Sequence, residues 1–210
     1  MTTILITSFG PFPGAPFNPT GPLVARLARL RRPALAGVRI VTHIFPTSYA
    51  AVDRELPALL GKYRPDALLM FGLASRTRHL RVETRARNAL SRSPDVGGVA
   101  ARAFVIAPGR ARSLMLPVPA RELLAAARGA HVPAALSREA GNYLCNYLCW
   151  RSAETARKDN GPRLAAFIHV PDIWRGARPR GRSKRRRLTL ADLSRAGSRM
   201  LCALVAAARR

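Results

Sequence analysis

Apolar positions along the chain follow two alternating patterns. Short runs rich in branched residues occur at 3–8, 38–45, 67–71 and 165–170, each followed closely by glycine or proline, and they predict buried strands. A shorter apolar stretch at 104–107 predicts one more. Between the runs, apolar residues return every three or four positions, the spacing of a helix with one buried face. Leu23, Val24, Leu27 and Leu30 mark a helix over 20–31, with Thr20 placed to cap it. Val52, Leu56, Leu59 and Leu60 mark another over 48–62. Further helices are predicted over 119–128, 142–157 and 188–208, the second of them capped by Asn142.

Strand–helix alternation predicts an α/β fold. The expected architecture is one domain spanning 1–210, with a mostly parallel sheet covered by helices on both faces, a three-layer α/β/α arrangement. Two segments, 85–99 and 172–187, read as long loops. In such folds ligands bind beyond the carboxyl ends of the strands. Residues 9–14, residues 72–83 and His169 are expected there.

Composition narrows the class. The chain has 210 residues, 48% of them hydrophobic and 22% charged, which is ample for a globular core. No apolar stretch approaches the roughly 20 residues that span a bilayer. The amino terminus carries no basic region before its apolar run, so no secretory leader is read there. Three cysteines argue against a disulfide scaffold and favour a reducing, cytoplasmic setting. Lys plus Arg number 36 against 11 Asp plus Glu, a net charge of +25, with a dense run at 175–187. Such a balance attracts anionic partners. Arginine spread over the whole surface is the favoured reading over a dedicated nucleic-acid site. No zinc-ligand spacing, internal repeat or aromatic–basic motif accompanies it, and no metal or other cofactor is expected.

Chemistry needs few candidates. Cys145 follows Asn142 by three residues, which puts it in the first turn of the predicted helix. Free N–H groups and the helix dipole make that a setting for a reactive thiolate. On this segment alone, a buried cysteine packed as a small hydrophobe is the commoner outcome. Among four histidines only His169 ends a buried strand run, which carries its ring to the sheet edge. A cysteine at a helix start and such a histidine suit a nucleophilic pair. Glu83 could orient the imidazole. From its neighbours alone, a weak surface pair with Arg81, Arg85 or Arg87 is favoured. Cys149 and Cys202 read as core.

Longer motifs then coincide. Ser8-Phe9-Gly10-Pro11-Phe12-Pro13-Gly14 is similar to G-F-x-P-F-x-G, and Asn18-Pro19-Thr20 to N-P-S. Gly72-Leu73-Ala74 through Arg76, then Glu83 and Asn88, resembles G-Q-A…R…E-x-x-A-x-N, and Arg92-Ser93-Pro94-Asp95 resembles R-I-P-D. Ser137 to Asn146 matches S-x-x-A-G-x-Y-x-C-N, and Phe167-Ile168-His169-Val170-Pro171 resembles F-I-H-I-P. In this order the motifs resemble the pyroglutamyl peptidase I family nearly end to end.

The resemblance implies a cysteine omega-peptidase that hydrolyses the amide bond after an amino-terminal pyroglutamyl residue through an acyl-enzyme. It carries a Cys–His–Glu triad onto Cys145, His169 and Glu83. It sets Phe9 and Phe12 against the lactam ring and Arg92 in support of the site. The implied partner is a peptide with amino-terminal pyroglutamate, and the implied assembly a homo-oligomer, dimer or tetramer. Three departures stand out. Leu73 replaces a glutamine and becomes a substrate-contact candidate in its place, two glycines after it are lost, and 175–187 is unusually basic. The alternatives are the same chemistry on a related lactam or amide, or a basic binding protein on this fold for nucleic acid or an acidic partner.

Overall fold

A computed structural model describes residues 1–12, 14–101, 103–176 and 187–210. Most of the basic run, and with it most of the loop expected over 172–187, lies outside the described residues. The elements run β1 (Thr2–Phe9), α1 (Thr20–Ala28), β2 (Val38–Phe45), α2 (Tyr49–Tyr63), β3 (Ala67–Leu73), β4 (Leu80–Glu83), β5 (Arg85–Arg87), β6 (Ser113–Met115), α3 (Ala120–Gly129), β7 (Ala134–Ser137), α4 (Leu144–Thr155), β8 (Leu164–Val170) and α5 (Leu190–Ala208).

Six strands form one sheet in the order β2-β1-β3-β8-β4-β7. The first four are parallel, β4 pairs antiparallel with β8, and β7 runs parallel with β4. The sheet is therefore mostly parallel, with a reversed edge. Because side chains alternate along a strand, each strand feeds two cores. Ile4, Ile6, Leu69, Phe71 and Ile168 face α1, α3 and α5, while Leu5, Leu68, Met70 and Phe167 face α2 and α4. That division is the three-layer arrangement expected from the alternation. No helix among the described residues is long and apolar enough to cross a membrane.

The differences from the sequence expectation have local causes. Residues 104–107 form no strand: Phe104 is 63% and Val105 38% exposed, with no strand paired beside them. The first three residues of the loop expected over 85–99 form β5, which pairs with β6 in a small separate ribbon. Pro19, not Thr20, takes the cap position of α1. Thr20 opens the helix, and the oxygen serving the turn comes from Asn18, whose Oδ1 accepts Thr20 Oγ1 at 2.7 Å and Thr20 N at 3.1 Å. Asn142 does not cap α4 either. Gly141 turns the chain at φ 85, Tyr143 occupies the cap position in extended backbone, and no side chain caps the helix. α5 starts two residues later than expected, behind a capping box between Thr189 and Asp192.

Candidate active site

Three chain segments converge at the carboxyl ends of β1, β3 and β8. Cys145 is the second residue of α4, and its side chain is half-buried. His169, 5% exposed, is the second-last residue of β8 and sits in register with Gly72 of β3 on one side and Arg81 of β4 on the other. Glu83 lies two residues past Arg81 on the same face of β4 and is wholly buried. The antiparallel β4–β8 register sets Glu83 diagonally from His169, and Glu83 Oε1 meets His169 Nδ1 at 2.8 Å. With Nδ1 engaged, Nε2 is the ring nitrogen left to face Cys145, whose charge acts on the imidazole.

Charge is balanced inside this row. The Arg81 guanidinium lies 2.9 Å from the same Glu83 oxygen and also donates to Ser137 Oγ and to the Glu139 carbonyl. The Arg81–Glu83 pair favoured from sequence therefore exists, but below the surface and alongside the histidine. Burial works against a charged Glu83, yet the hydrogen bond and charge of His169, with Arg81, hold its carboxyl below the usual range. Burial likewise works against a charged imidazole. The charge of Cys145, followed by the hydrogen bond and charge of Glu83, outweighs it and pushes His169 up to about 9. Cys149, one turn on and fully buried, is raised well above an ordinary thiol by burial and by the charges of Glu83 and Cys145. Among the described residues no group of three His, Cys, Asp or Glu is placed to hold a metal.

The sulfur faces a cavity of about 190 Å³. Phe9, Phe12, Thr47, Leu73, Tyr143 and His169 are among its walls. Phe9 is buried and also packs on Phe45 with ring centroids 6.0 Å apart, so it serves wall and core together. Phe12 is half-buried, held where its backbone pairs with Ala15. Arg92 is not among the lining residues: it is exposed, its guanidinium 4.5 Å from the centre of the Phe104 ring.

Several residues that frame this cavity had no role assigned from sequence. Asn18 donates to the carbonyls of Phe9 and Gly10, and Thr47 Oγ1 donates to the same Gly10 carbonyl. Thr47 O in turn accepts Val96 N, which ties the 94–98 turn to the site. Asp95, buried in that turn, accepts the N–H groups of Gly97 and Val99 at 2.9 and 3.0 Å. Asn146 makes paired hydrogen bonds with the backbone of Arg87 and a third to Ala89 O, which fastens β5 to the first turn of α4. Asp95 and Asn146 stand inside the quoted motifs. Their signal was a polar residue in a turn or helix with no surface reason to be there.

Gly72 leaves no room for a side chain beside the sulfur. On β3 it faces α4, and a Cβ built there would lie 2.7 Å from Cys145 Sγ and 2.7 and 2.9 Å from two carbons of the Phe167 ring. That ring packs edge-on against His169, with centroids 5.0 Å apart, and cannot fold away. Glycine here is thus a space requirement. Gly72→Ala is expected to cost about 1–3 kcal/mol of stability, as overpacking does, and to push the sulfur away from His169. Thermal unfolding and the rate of Cys145 alkylation by iodoacetamide check this: a lower midpoint with alkylation slowed about tenfold is expected, an ~1.4 kcal/mol effect. An unchanged midpoint and rate would mean that the neighbours yield freely.

A sulfur, an imidazole and a buried carboxylate in series, at the carboxyl edge of an α/β sheet, is the arrangement that cysteine hydrolases use. The family model described as pyroglutamyl peptidase matches residues 2–178, and the chain belongs to that family. It is 31% identical over 169 residues to the pyrrolidone-carboxylate peptidase of Thermococcus kodakarensis, covering 80% of each chain. It is likewise 31% identical to the enzyme of that name from Deinococcus radiodurans, over 81% of this chain and 78% of the other. Among solved structures, the pyrrolidone carboxyl peptidase of Fervidobacterium islandicum superposes with a TM-score of 0.84 at 26% identity, over 97% of this chain and 98% of that one. That of Thermococcus litoralis does so with 0.84 at 25% identity, over 97% and 93%.

Proposed function

We propose that this chain removes an amino-terminal pyroglutamyl residue from peptides, with Cys145 as nucleophile, His169 as base and acid, and Glu83 as the group that orients His169. The observation that carries the proposal is the buried Glu83–His169 hydrogen bond standing behind Cys145 at the mouth of an apolar cavity. At about 190 Å³ the cavity lies below the ~300–1,000 Å³ of sites for drug-sized ligands. It suits one small, flat, uncharged ring between Phe9 and Phe12.

The sulfur attacks the pyroglutamyl carbonyl carbon as His169 holds the proton on Nε2. Charge develops on the carbonyl oxygen. The first-turn N–H groups of α4 have no intrahelical acceptor, and no side chain caps them, so Cys145 N–H is available to receive that charge. His169 then gives its proton to the departing amine, which leaves a thioester on Cys145. Water, deprotonated by His169, attacks the thioester and releases pyroglutamate and the free thiol.

A pyroglutamyl arylamide is the test substrate, and a prolyl arylamide, whose ring lacks the lactam carbonyl and carries a basic amine in place of the neutral amide, is the control. Hydrolysis of the first and not the second is expected. The profile of kcat/KM should fall as pH rises through about 9, where His169 loses its proton. The linkage has the same sign: a histidine raised from 6.5 to about 9 contributes stability that is complete below 6.5 and is lost through about 9. No turnover by folded protein, or equal turnover of the prolyl compound, overturns the proposal.

A further inference from the structure

Leu73 ends β3 and lines two cavities at once. One is the cavity in front of Cys145; the other is a larger neighbour of about 390 Å³. No other described residue lines both. The two differ in character. The neighbour is lined by Arg175, Arg187, Asp172, Phe17 and Trp174, among others. Arg175 is held against the wall, its guanidinium 4.8 Å from the centre of the Phe17 ring. Trp174 is tied to the start of α5 through its N–H to Leu188 O at 2.8 Å and its pairing with Thr189. Among the described residues, the lining thus includes two basic residues against one acidic one.

A substrate attacked at the carbonyl that follows its lactam ring must direct the rest of its chain out of the ring cavity. Among the described residues, Leu73 is the one common to the linings of the ring cavity and its neighbour. We infer that the neighbouring cavity is the subsite for the residues after the scissile bond, and that it selects peptides with an acidic side chain at the first or second of them. An aliphatic residue at 73 suits this division: it offers no hydrogen bond to either occupant and lets the chain pass over it. The inference rests on the proposed pyroglutamyl-peptidase reading and assigns the leaving-group side of that site.

The test compares kcat/KM for two matched pairs, pyroglutamyl-Xaa-Ala-amide and pyroglutamyl-Ala-Xaa-amide, with Xaa either Glu or its uncharged counterpart Gln. Exposed charge pairs support about a three- to fivefold preference for Glu in one of the pairs. Raising salt from about 0.1 M to about 1 M shortens the screening length from roughly 10 to roughly 3 Å, and the ratio should fall towards one. The double variant Arg175→Gln/Arg187→Gln should lose the preference at low salt. Because the readout is a ratio, loss of folded protein does not imitate it, and the salt series needs only the natural chain. Equal rates for Glu and Gln in both pairs overturn the subsite while the pyroglutamyl reading stands. A preference that survives in the double variant also overturns it, because selection then resides elsewhere. No cleavage of any of the four peptides overturns the peptidase reading and the subsite with it.

Discussion

Cys145→Ala is expected to lower hydrolysis of a pyroglutamyl arylamide by at least about 10⁴-fold while the protein stays folded. Loss of a nucleophile of this kind removes the covalent route altogether, and its partners cannot compensate, so effects of about 10⁴–10⁶ are usual. The fold should tolerate the change. Cys145 is only half-buried, it stands at the cavity mouth, and alanine keeps the helix propensity of α4. Another thiol cannot take over. Cys149 is one turn further into the helix, fully buried, and its thiol is held in the protonated form by burial and by the charges of Glu83 and Cys145. Steady-state rates beside circular dichroism of the variant measure the loss. Iodoacetamide followed by peptide mass analysis should mark Cys145 in the natural chain and leave Cys149 unmarked. A folded variant that keeps more than about 1% of the activity, a loss of only ~2.7 kcal/mol of transition-state stabilisation, would exclude Cys145 as nucleophile.

Some of this site was legible in the sequence because its signals are local. β1, β3 and β8 are continuous apolar runs, as buried parallel strands must be, and their ends place the 9–14 loop, Gly72 and His169 at one edge. What could not be read depends on pairing. β4, Leu80-Arg81-Val82-Glu83, alternates apolar with charged residues, the mark of a strand with one wet face. Here both faces are covered, and the charged face points at His169 under α4. Nothing local distinguishes the two cases; the antiparallel partner β8 does. Residues 104–107 fail in the opposite sense, since they are apolar enough for a strand but have none to pair with. The caps of α1 and α4 illustrate a third limit. Thr20 and Asn142 have the right chemistry one residue away from the right backbone, and Asn142 lines the cavity instead. At α4 no side chain caps the first turn, which leaves donors for the substrate oxygen in the proposed mechanism. A locally broken rule there is a mark of function.

The same buried row gives the second large effect. Glu83→Gln is expected to lower kcat by roughly 10³–10⁴-fold, the scale reached when the carboxylate behind a catalytic histidine is replaced by its amide. Size is conserved, so no void opens. Arg81 keeps Ser137 Oγ and the Glu139 carbonyl as partners, so its charge is not stranded. What changes is His169. Glu83 is one of the two groups that hold its pKa up to about 9 against burial, and without the negative charge that pKa must fall. The alkaline limb of kcat/KM should therefore move to lower pH, and the stability that His169 contributes below that limb should shrink with it. A purely structural role for Glu83 would lower the amplitude of the profile and leave the limb in place. An amide can also hold the wrong imidazole tautomer, by donating where the carboxylate accepts. Glu83→Asp separates that effect from loss of charge. It keeps the charge at a greater distance, and should recover part of the limb's position and only part of kcat. If Glu83→Gln instead retained the limb near pH 9, His169 would owe its proton to Cys145 alone, and Glu83 would serve only to pair Arg81 within the sheet.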